Sequence, residues 1–168
     1  MTGVDVLREP TEDDLDAVRR WRNHPQVRAA SFTTHEISAE EHRRWWTAVR
    51  SDPSRRVLVY EHRSVPSGVV TFSGLDGDAP EWGFWLDLDG LGDALMPAWI
   101  GLERAAVDHA FTVLAVPALH GEVLAGNAAV LALHRRTGFR ESGRHIRRIN
   151  GIDQEVVRLV LTREETPS

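Results

Sequence analysis

The chain has 168 residues, 42% of them hydrophobic, and a formal net charge of −5 at pH 7. This length fits a single globular domain over residues 1–168. No cysteine or lysine occurs, which excludes disulfides, thiolate zinc sites, a cysteine acyl-enzyme, a pyridoxal phosphate Schiff base and a Walker phosphate loop. The negative charge also opposes non-specific binding to nucleic acid.

No apolar run approaches the roughly 20 residues needed to cross a bilayer, and the first residues lack the basic-then-apolar pattern of a secretion signal. We therefore expect a cytoplasmic protein without a membrane partner. The histidines show no compact metal-ligand spacing with acidic neighbours, so no metal site is expected.

Hydrophobic spacing predicts alternating strands and helices in the first half of the chain. A strand is expected at residues 4–8, then a helix capped at Thr11 that ends near Asn23, where His24-Pro25 breaks it. The next helix starts at Ser38. Strands at 56–61 and 68–72 should form an antiparallel hairpin that turns at residues 64–68, and a further strand at 81–86 leads into a glycine loop.

For the second half of the chain, the sequence pattern predicts a helix, a strand, a second helix and a hairpin. A long helix should run to about Val113, followed by a strand at 118–124. Asn127 is placed to cap the next helix and Gly138 to end it. Two strands at 140–149 and 154–161 then flank the turn signal Asn150-Gly151.

Two segments carry a family resemblance. In GEVLAGNAAVLALHRRTGF, residues 121–139, a Glu-Val strand end precedes an Asn-capped helix and a Gly-Phe stop, and in FWLDLDGLGDAL, residues 84–95, a strand precedes a glycine loop. Together they resemble the GNAT superfamily of acyl-CoA-dependent N-acyltransferases. The resemblance implies a mixed α/β (α+β) fold with a mostly antiparallel central sheet, helices on both faces and a splayed strand pair that holds acetyl-CoA as co-substrate.

The resemblance assigns the loop at residues 87–92 to the coenzyme pyrophosphate, which backbone N–H groups would meet at a helix N-terminus. The predicted cofactor contacts are Leu86, Leu88, Gly90, Leu91, Gly92, Asp93, Ala94 and Asn127. Asp87 stands where the family usually has Gln or Arg, and Asp87, Asp89 and Asp93 place three acids around an anion. The alternative is a turn with two glycines and no ligand.

The resemblance also suggests an acid and a base for amine acetylation. Glu122 is the first candidate for general base, with a wet, splayed strand end as its alternative, and Glu81 is the second, with an exposed edge carboxylate as its alternative. His134 stands where the family has the Tyr that protonates the coenzyme sulfur, and its alternative is an exposed helix histidine. Tyr60 does not match that position and is interpreted as structural.

The expected acceptor is a small-molecule primary amine. The segments at residues 7–28 and 37–46 resemble two subfamilies, one that acetylates nucleotide-linked aminosugars, as in pseudaminic acid biosynthesis, and one that acetylates the N-terminal alanine of ribosomal proteins. The passages at residues 21–38 and 40–46 slightly favour the aminosugar enzymes. A non-catalytic acyl-CoA-binding regulatory module is the third alternative. The six tryptophans could pack the core or line the acceptor pocket, and the basic cluster at 144–148 could be a solvated strand face or an anion contact. Oligomeric state stays open, with a homodimer as one option.

Overall fold

Within residues 5–165, which the computed structural model describes, seven strands form one sheet in the order β1-β2-β3-β4-β5-β7-β6. The strands are Val6–Arg8 (β1), Arg56–His62 (β2), Val65–Ser73 (β3), Glu81–Leu86 (β4), Ala118–Leu124 (β5), Arg140–Ile149 (β6) and Ile152–Thr162 (β7). The α-helices are Leu15–Arg22 (α1), Pro25–Ala29 (α2), Ala39–Arg50 (α3), Leu88–Leu91 (α4), Leu95–Thr112 (α5) and Ala128–Thr137 (α6). None of the described helices is both long and apolar enough to cross a bilayer.

The centre of the sheet opens between β4 and β5. Neighbouring strands are antiparallel elsewhere, but β4 and β5 run parallel and share the single register pair Glu81↔His120. At this pair the backbone N–H of His120 donates to the carbonyl of Pro80 at 2.9 Å. Residues 82–86 and 121–124 then continue without pairing to each other, which leaves an opening that we call the crevice. The predicted fold class, with its splayed strand pair, is confirmed.

Helices cover both faces of the sheet. On one side, the apolar stripes of α1 and α3 pack on β2 and β3 through Val18, Trp21, Trp46 and Val59, and we call this the α1/α3 face. The opposite face carries α5 and α6 over the larger core. Because side chains alternate along a strand, neighbouring residues of β4 and β5 enter different layers.

Several local predictions are confirmed at the level of single hydrogen bonds and backbone angles. Ser38 Oγ accepts the N–H of Glu41 at 3.1 Å and begins α3, while Asn127 Oδ1 accepts the N–H of Val130 at 3.4 Å and begins α6. Gly138 ends α6 with φ at 117°, in the left-handed region that glycine tolerates. Asn150 and Gly151, at φ 50° and 76°, form the β6–β7 turn.

The predicted position of the first hairpin turn is wrong. It lies at Arg63 and Ser64, which have φ of 50° and 72°, and most of the segment assigned to the turn belongs to β3. The Arg63 N–H donates to Asp5 Oδ1 at 3.0 Å, a contact from the residue just before β1 that helps hold the strained backbone. Pro66 is tolerated in β3 because β4 begins to pair only at Gly68, so no ladder bond to β4 is lost there.

The helix α2 is absent from the sequence prediction. Pro25 does end the first helix, but it also occupies the first position of α2, where its missing N–H has no partner to lose. The Nδ1 of His24 accepts the N–H of Gln26 at 3.1 Å and caps this short helix. The predicted start of β1 at Val4 lies outside the described residues.

Candidate active site

The predicted acid and base lie on opposite faces of the sheet at the crevice. Leu119 and Val123 of β5 pack in the α5/α6 core, so the intervening Glu122 projects to the α1/α3 face. His134 is on α6, and its ring contacts those of Trp82 and Phe84 from β4, with centroids 5.2 and 6.0 Å away. The two side chains therefore approach the same strand pair from two layers.

Glu122 is a half-buried carboxylate that lies close to His145. Its side chain is 15% exposed, and His145 Nε2 lies 3.1 Å from Oε2. The distance suits an ion pair, but the geometry is not that of a hydrogen bond, and no described residue satisfies the buried Oε2 atom. An acceptor ammonium is the kind of donor that would satisfy this oxygen.

Glu81 lies at the narrow end of the crevice. Because β4 is an interior strand, the interpretation of Glu81 as a sheet-edge residue is wrong, although its side chain is 40% exposed. Its carboxylate is 3.4 Å from Nη2 of Arg158. Burial, followed by the nearby Arg158 charge, lowers the pKa of His120, and Glu81 opposes this change. These influences favour the neutral imidazole of His120, which is itself a member of the register pair.

Sequence reasoning missed the partners on this face, namely His120, His145 and Arg158. His120 lies two residues before Glu122 on the same strand, so period-two spacing could have identified it. Arg158 is the register partner of Glu122 across the β5–β7 ladder, and His145 approaches from β6. Those two contacts depend on strand register, which the sequence pattern specified only approximately.

The interpretation of His134 as an exposed helix histidine is wrong, because its side chain is only 4% exposed. The rings of Trp82, Phe84 and Phe139 surround the imidazole. Its Nδ1 lies 2.7 Å from Oε1 of Glu103, which is 1% exposed on α5. Sequence reasoning missed Glu103, although a carboxylate next to the apolar stripe of α5 was a readable signal.

Gly121 lies next to Trp82 at the crevice. A Cβ on Gly121 would lie 3.2 Å from the indole Nε1 of Trp82. Glycine at this position lets Trp82 reach across the crevice on the α5/α6 face, where it packs on Phe139 at a centroid distance of 5.9 Å.

The predicted phosphate loop is closed on itself. Asp87 Oδ1 accepts the N–H of Gly90 at 3.0 Å, and the Asp87 carbonyl accepts the N–H of Leu91 at 3.0 Å. The N–H of Gly92 donates to the Leu88 carbonyl, so three of the predicted phosphate donors have partners within the chain. A pyrophosphate could use the Gly90 amide only after the Asp87 carboxylate rotates away. Phosphate binding by this loop stays a prediction.

Three further residues predicted to contact the cofactor are Leu86, Leu88 and Asn127. Leu86 is buried at the end of β4, so only its backbone could meet a ligand directly, and Leu88 packs partly buried against the core. The Asn127 amide oxygen is used in the cap of α6. The unpaired edge of β4 is the part of the site that fits an extended amide-bearing arm such as pantetheine, because its backbone groups lack ladder partners on that side.

A cavity of about 530 Å³ lies on the α1/α3 face, with Thr71 and Trp85 of β3 and β4 in its wall. The cationic side chains that line it are Arg22, Arg55 and Arg56. Arg22 Nη2 donates to the Thr33 carbonyl at 3.1 Å, whereas no described residue hydrogen-bonds its buried Nη1. Burial lowers the pKa of this guanidinium.

The tryptophans divide between core and cavity. Trp21, Trp46 and Trp82 are buried in the two cores, whereas Trp45 and Trp85 line the cavity, with ring centroids 6.3 Å apart. Tyr60 is fully buried, and its hydroxyl donates to Asp5 Oδ2 at 2.9 Å, as a structural residue would. Burial and this hydrogen bond raise the pKa of Tyr60.

The basic cluster at residues 144–148 is paired within the chain at its ends. Arg144 contacts Glu141 and Glu155, and Arg148 lies 3.3 Å from Asp153. Arg147 stacks over the Phe32 ring at 4.3 Å. These contacts favour the interpretation of the cluster as a solvated strand face.

Comparisons with known proteins agree with this architecture. Residues 6–140 match the family described as "Acetyltransferase (GNAT) domain". The chain is 28% identical over 134 residues to acetyltransferase PseH of Campylobacter jejuni subsp. jejuni, covering 78% of this chain and 80% of that protein. The structure of spermidine N-acetyltransferase from Vibrio cholerae in complex with CoA and spermine superposes with a TM-score of 0.83, at 22% identity and 96% coverage of both chains. The chain belongs to the GNAT acetyltransferase family and is an acyl-CoA-dependent N-acetyltransferase.

Proposed function

We propose that the protein transfers acetyl from acetyl-CoA to the primary amine of an acceptor that also carries negative charge, with a nucleotide-linked aminosugar as the first candidate. One observation carries this choice: the cavity on the face of Glu122 is lined by cations, and no described residue hydrogen-bonds the buried Nη1 of Arg22. A diphosphate would supply the missing acceptors for that guanidinium.

The charge of the cavity discriminates between acceptor classes. Its acidic residue, Glu41, lies 2.7 Å from His35 Nε2 and is already engaged. A polyamine such as the spermine in the Vibrio cholerae complex would therefore meet Arg22, Arg55 and Arg56 with like charge. An anionic acceptor is attracted by the same groups, because opposite charges at close range gain Coulomb energy in a partly desolvated pocket.

The opposed positions of Glu122 and His134 support direct transfer across the crevice. Acetyl-CoA supplies the activated thioester. Glu122 would take the proton that the acceptor nitrogen loses as its bond to the acetyl carbon forms, and His134 would give a proton to the sulfur as the carbon–sulfur bond breaks. The chain has no cysteine, so transfer needs no cysteinyl intermediate. The acetylated acceptor and the free coenzyme thiol would then leave from opposite faces of the sheet.

The test is acetyl-CoA-dependent thiol release with a panel of acceptors: a UDP-linked aminosugar, the same sugar without its nucleotide, spermidine and a peptide with N-terminal alanine. We expect the highest kcat/KM with the UDP-linked sugar. Arg22→Gln should raise KM for that acceptor about tenfold while changing KM for the free sugar little. Arg20→Gln, on the exposed side of α1, is the matched control.

A higher kcat/KM with spermidine or the alanine peptide would overturn the assignment of an anionic acceptor. Binding of acetyl-CoA without turnover on any acceptor would instead favour the non-catalytic module. Equal effects of Arg22→Gln and Arg20→Gln on KM for the UDP-linked sugar would show that Arg22 and its cavity do not bind this acceptor.

A further inference from the structure

We propose that Glu103 is a positioning residue for His134, holding its imidazole with the proton on Nδ1 so that Nε2 exchanges a proton with the coenzyme sulfur. The inference rests on the proposed function, in which His134 is the acid. It adds a second residue, on a different helix, to the leaving-group side of the reaction.

The geometry of the pair is specific. Glu103 Oε1 lies 2.7 Å from His134 Nδ1, and the two side chains are 1% and 4% exposed. No other described residue hydrogen-bonds the His134 ring, so Nε2 is the nitrogen left for a ligand. A carboxylate can only accept, so an ionised Glu103 fixes the hydrogen on Nδ1 and leaves Nε2 as the exchanging atom.

The surroundings make this contact the main electrostatic influence on the ring. The other side chains in ring contact with His134 are the aromatic groups Trp82, Phe84 and Phe139, none of which titrates near neutral pH. Among the described residues, Glu103 is the one charged group paired with the imidazole. The carboxylate is therefore the group that can fix the tautomer and the orientation of the ring.

The proton balance of the step is simple. In the imidazolium form both nitrogens carry hydrogen, with Nδ1–H donated to Glu103 and Nε2–H free. The Nε2 proton passes to the thiolate sulfur as the carbon–sulfur bond breaks, and neutral His134 keeps its Nδ1–H bond to the carboxylate. Glu103 itself gains and loses nothing, which is the role of a positioning group.

A purely structural role explains the pair less well. The second oxygen of Glu103, Oε2, is buried and no described residue hydrogen-bonds it. A half-satisfied buried carboxylate is costly, and apolar replacement of buried ion pairs is often neutral or stabilising. Buried charge next to a ligand crevice is the arrangement in which functional groups are usually found.

The first test needs no coenzyme. Long-range ¹H–¹⁵N correlation spectra of ¹⁵N-labelled protein report which nitrogen of each histidine carries the proton, and His134→Tyr identifies the His134 signals by their loss. We expect Nδ1–H in the native chain. In Glu103→Gln the Nε2–H tautomer should appear, because an amide can donate to Nδ1 as well as accept from it. Nε2–H as the main neutral tautomer of the native protein would overturn the proposal.

The second test is a double-mutant cycle in acetyl-CoA turnover. We expect Glu103→Gln to lower kcat about tenfold or more in the native background. In the His134→Tyr background the same substitution should have little effect, because a phenol needs no tautomer control. Equal losses in both backgrounds would identify a structural role and overturn the proposal.

Two controls separate folding and acceptor choice from positioning. Glu103→Met keeps the volume without the carboxylate, and melting temperatures of both Glu103 variants show whether the fold persists. If no acceptor is acetylated, the proposed function fails, whereas the tautomer spectra of the coenzyme-free protein still decide the role of Glu103.

Discussion

Glu81 and His120 form the one register pair that joins β4 to β5, and the two strands separate immediately beyond it. This single pair places Glu81 at the narrow end of the crevice and fixes where the interior of the sheet becomes accessible. Glu122 lies two residues further along β5 on the same face. The predicted base therefore depends on the point at which pairing stops.

Replacing Glu122 with Gln should lower kcat about a hundredfold while leaving the affinity for acetyl-CoA unchanged, because the carboxylate faces the acceptor side of the sheet. Steady-state turnover measures kcat, and isothermal titration with acetyl-CoA measures the affinity. The control is Glu155→Gln on β7, which removes an exposed carboxylate that pairs with Arg144. Native turnover in Glu122→Gln would reject this residue as the base.

His134→Ala should also lower turnover, but less severely than Glu122→Gln, because solvent can protonate a departing thiolate more readily than it can deprotonate a bound ammonium. Rates are compared at saturating acetyl-CoA. The variant also loses ring contacts with Trp82 and Phe139, so circular dichroism melting must accompany the kinetics. A rate equal to that of the native enzyme in a folded variant contradicts the assignment.

Asp87→Ala should tighten CoA binding if the loop at 87–92 meets the pyrophosphate. The substitution removes a negative charge and releases the Gly90 N–H from Asp87 Oδ1. We expect the Kd for CoA to fall about two- to fivefold, the size of effect that a charge at a helix terminus has. Titration calorimetry measures this Kd. Asp76→Ala, in an exposed turn, is the control. Weaker binding would show that the Asp87 cap is needed to hold the loop for the ligand.

The free energy of unfolding should decrease as the pH falls below 6.5, partly because of His42. Burial, followed by the charge of Arg19, lowers the pKa of His42 from its usual 6.5. Below that pH the unfolded chain binds a proton at this ring that the folded protein resists, so unfolding is favoured.

Chemical denaturation at pH 5.5 and 7.5 measures this difference, and His42→Phe should reduce it. Part of the decrease should persist, because burial also lowers the pKa of His109 and His120. An identical pH dependence in the native protein and in His42→Phe would show that His42 has no part in it.

Gly68→Ala should destabilise the sheet by roughly 1–3 kcal/mol. A Cβ there would lie 2.9 Å from the Trp85 carbonyl oxygen and 3.0 Å from side-chain atoms of Leu86 and Leu102. The backbone oxygen cannot move without disturbing the β3–β4 ladder. Gly143→Ala, where a Cβ meets nothing within 4 Å, is the matched strand control, and urea unfolding compares the two. Equal stability of the two variants would contradict this packing argument.

The elements that the sequence predicted well are those whose signals are local. Ser38 and Asn127 cap helices through amides three residues away, and Asn150-Gly151 supplies the positive φ angles of a two-residue turn. The turn at Arg63 and Ser64 was misplaced, because neither residue favours positive φ and one stabilising contact comes from Asp5, 58 residues earlier.

By itself the sequence determined the order of the strands and of the longer helices, the family and the two carboxylates worth testing, because periodicity, caps and short motifs act over a few neighbouring residues. Only the tertiary structure decided which charges meet. Glu103 and His134 are 31 residues apart, and no described residue hydrogen-bonds the buried Nη1 of Arg22. Such contacts depend on helix packing and strand register, which bring distant residues within a few ångströms and remove the water that would otherwise screen them.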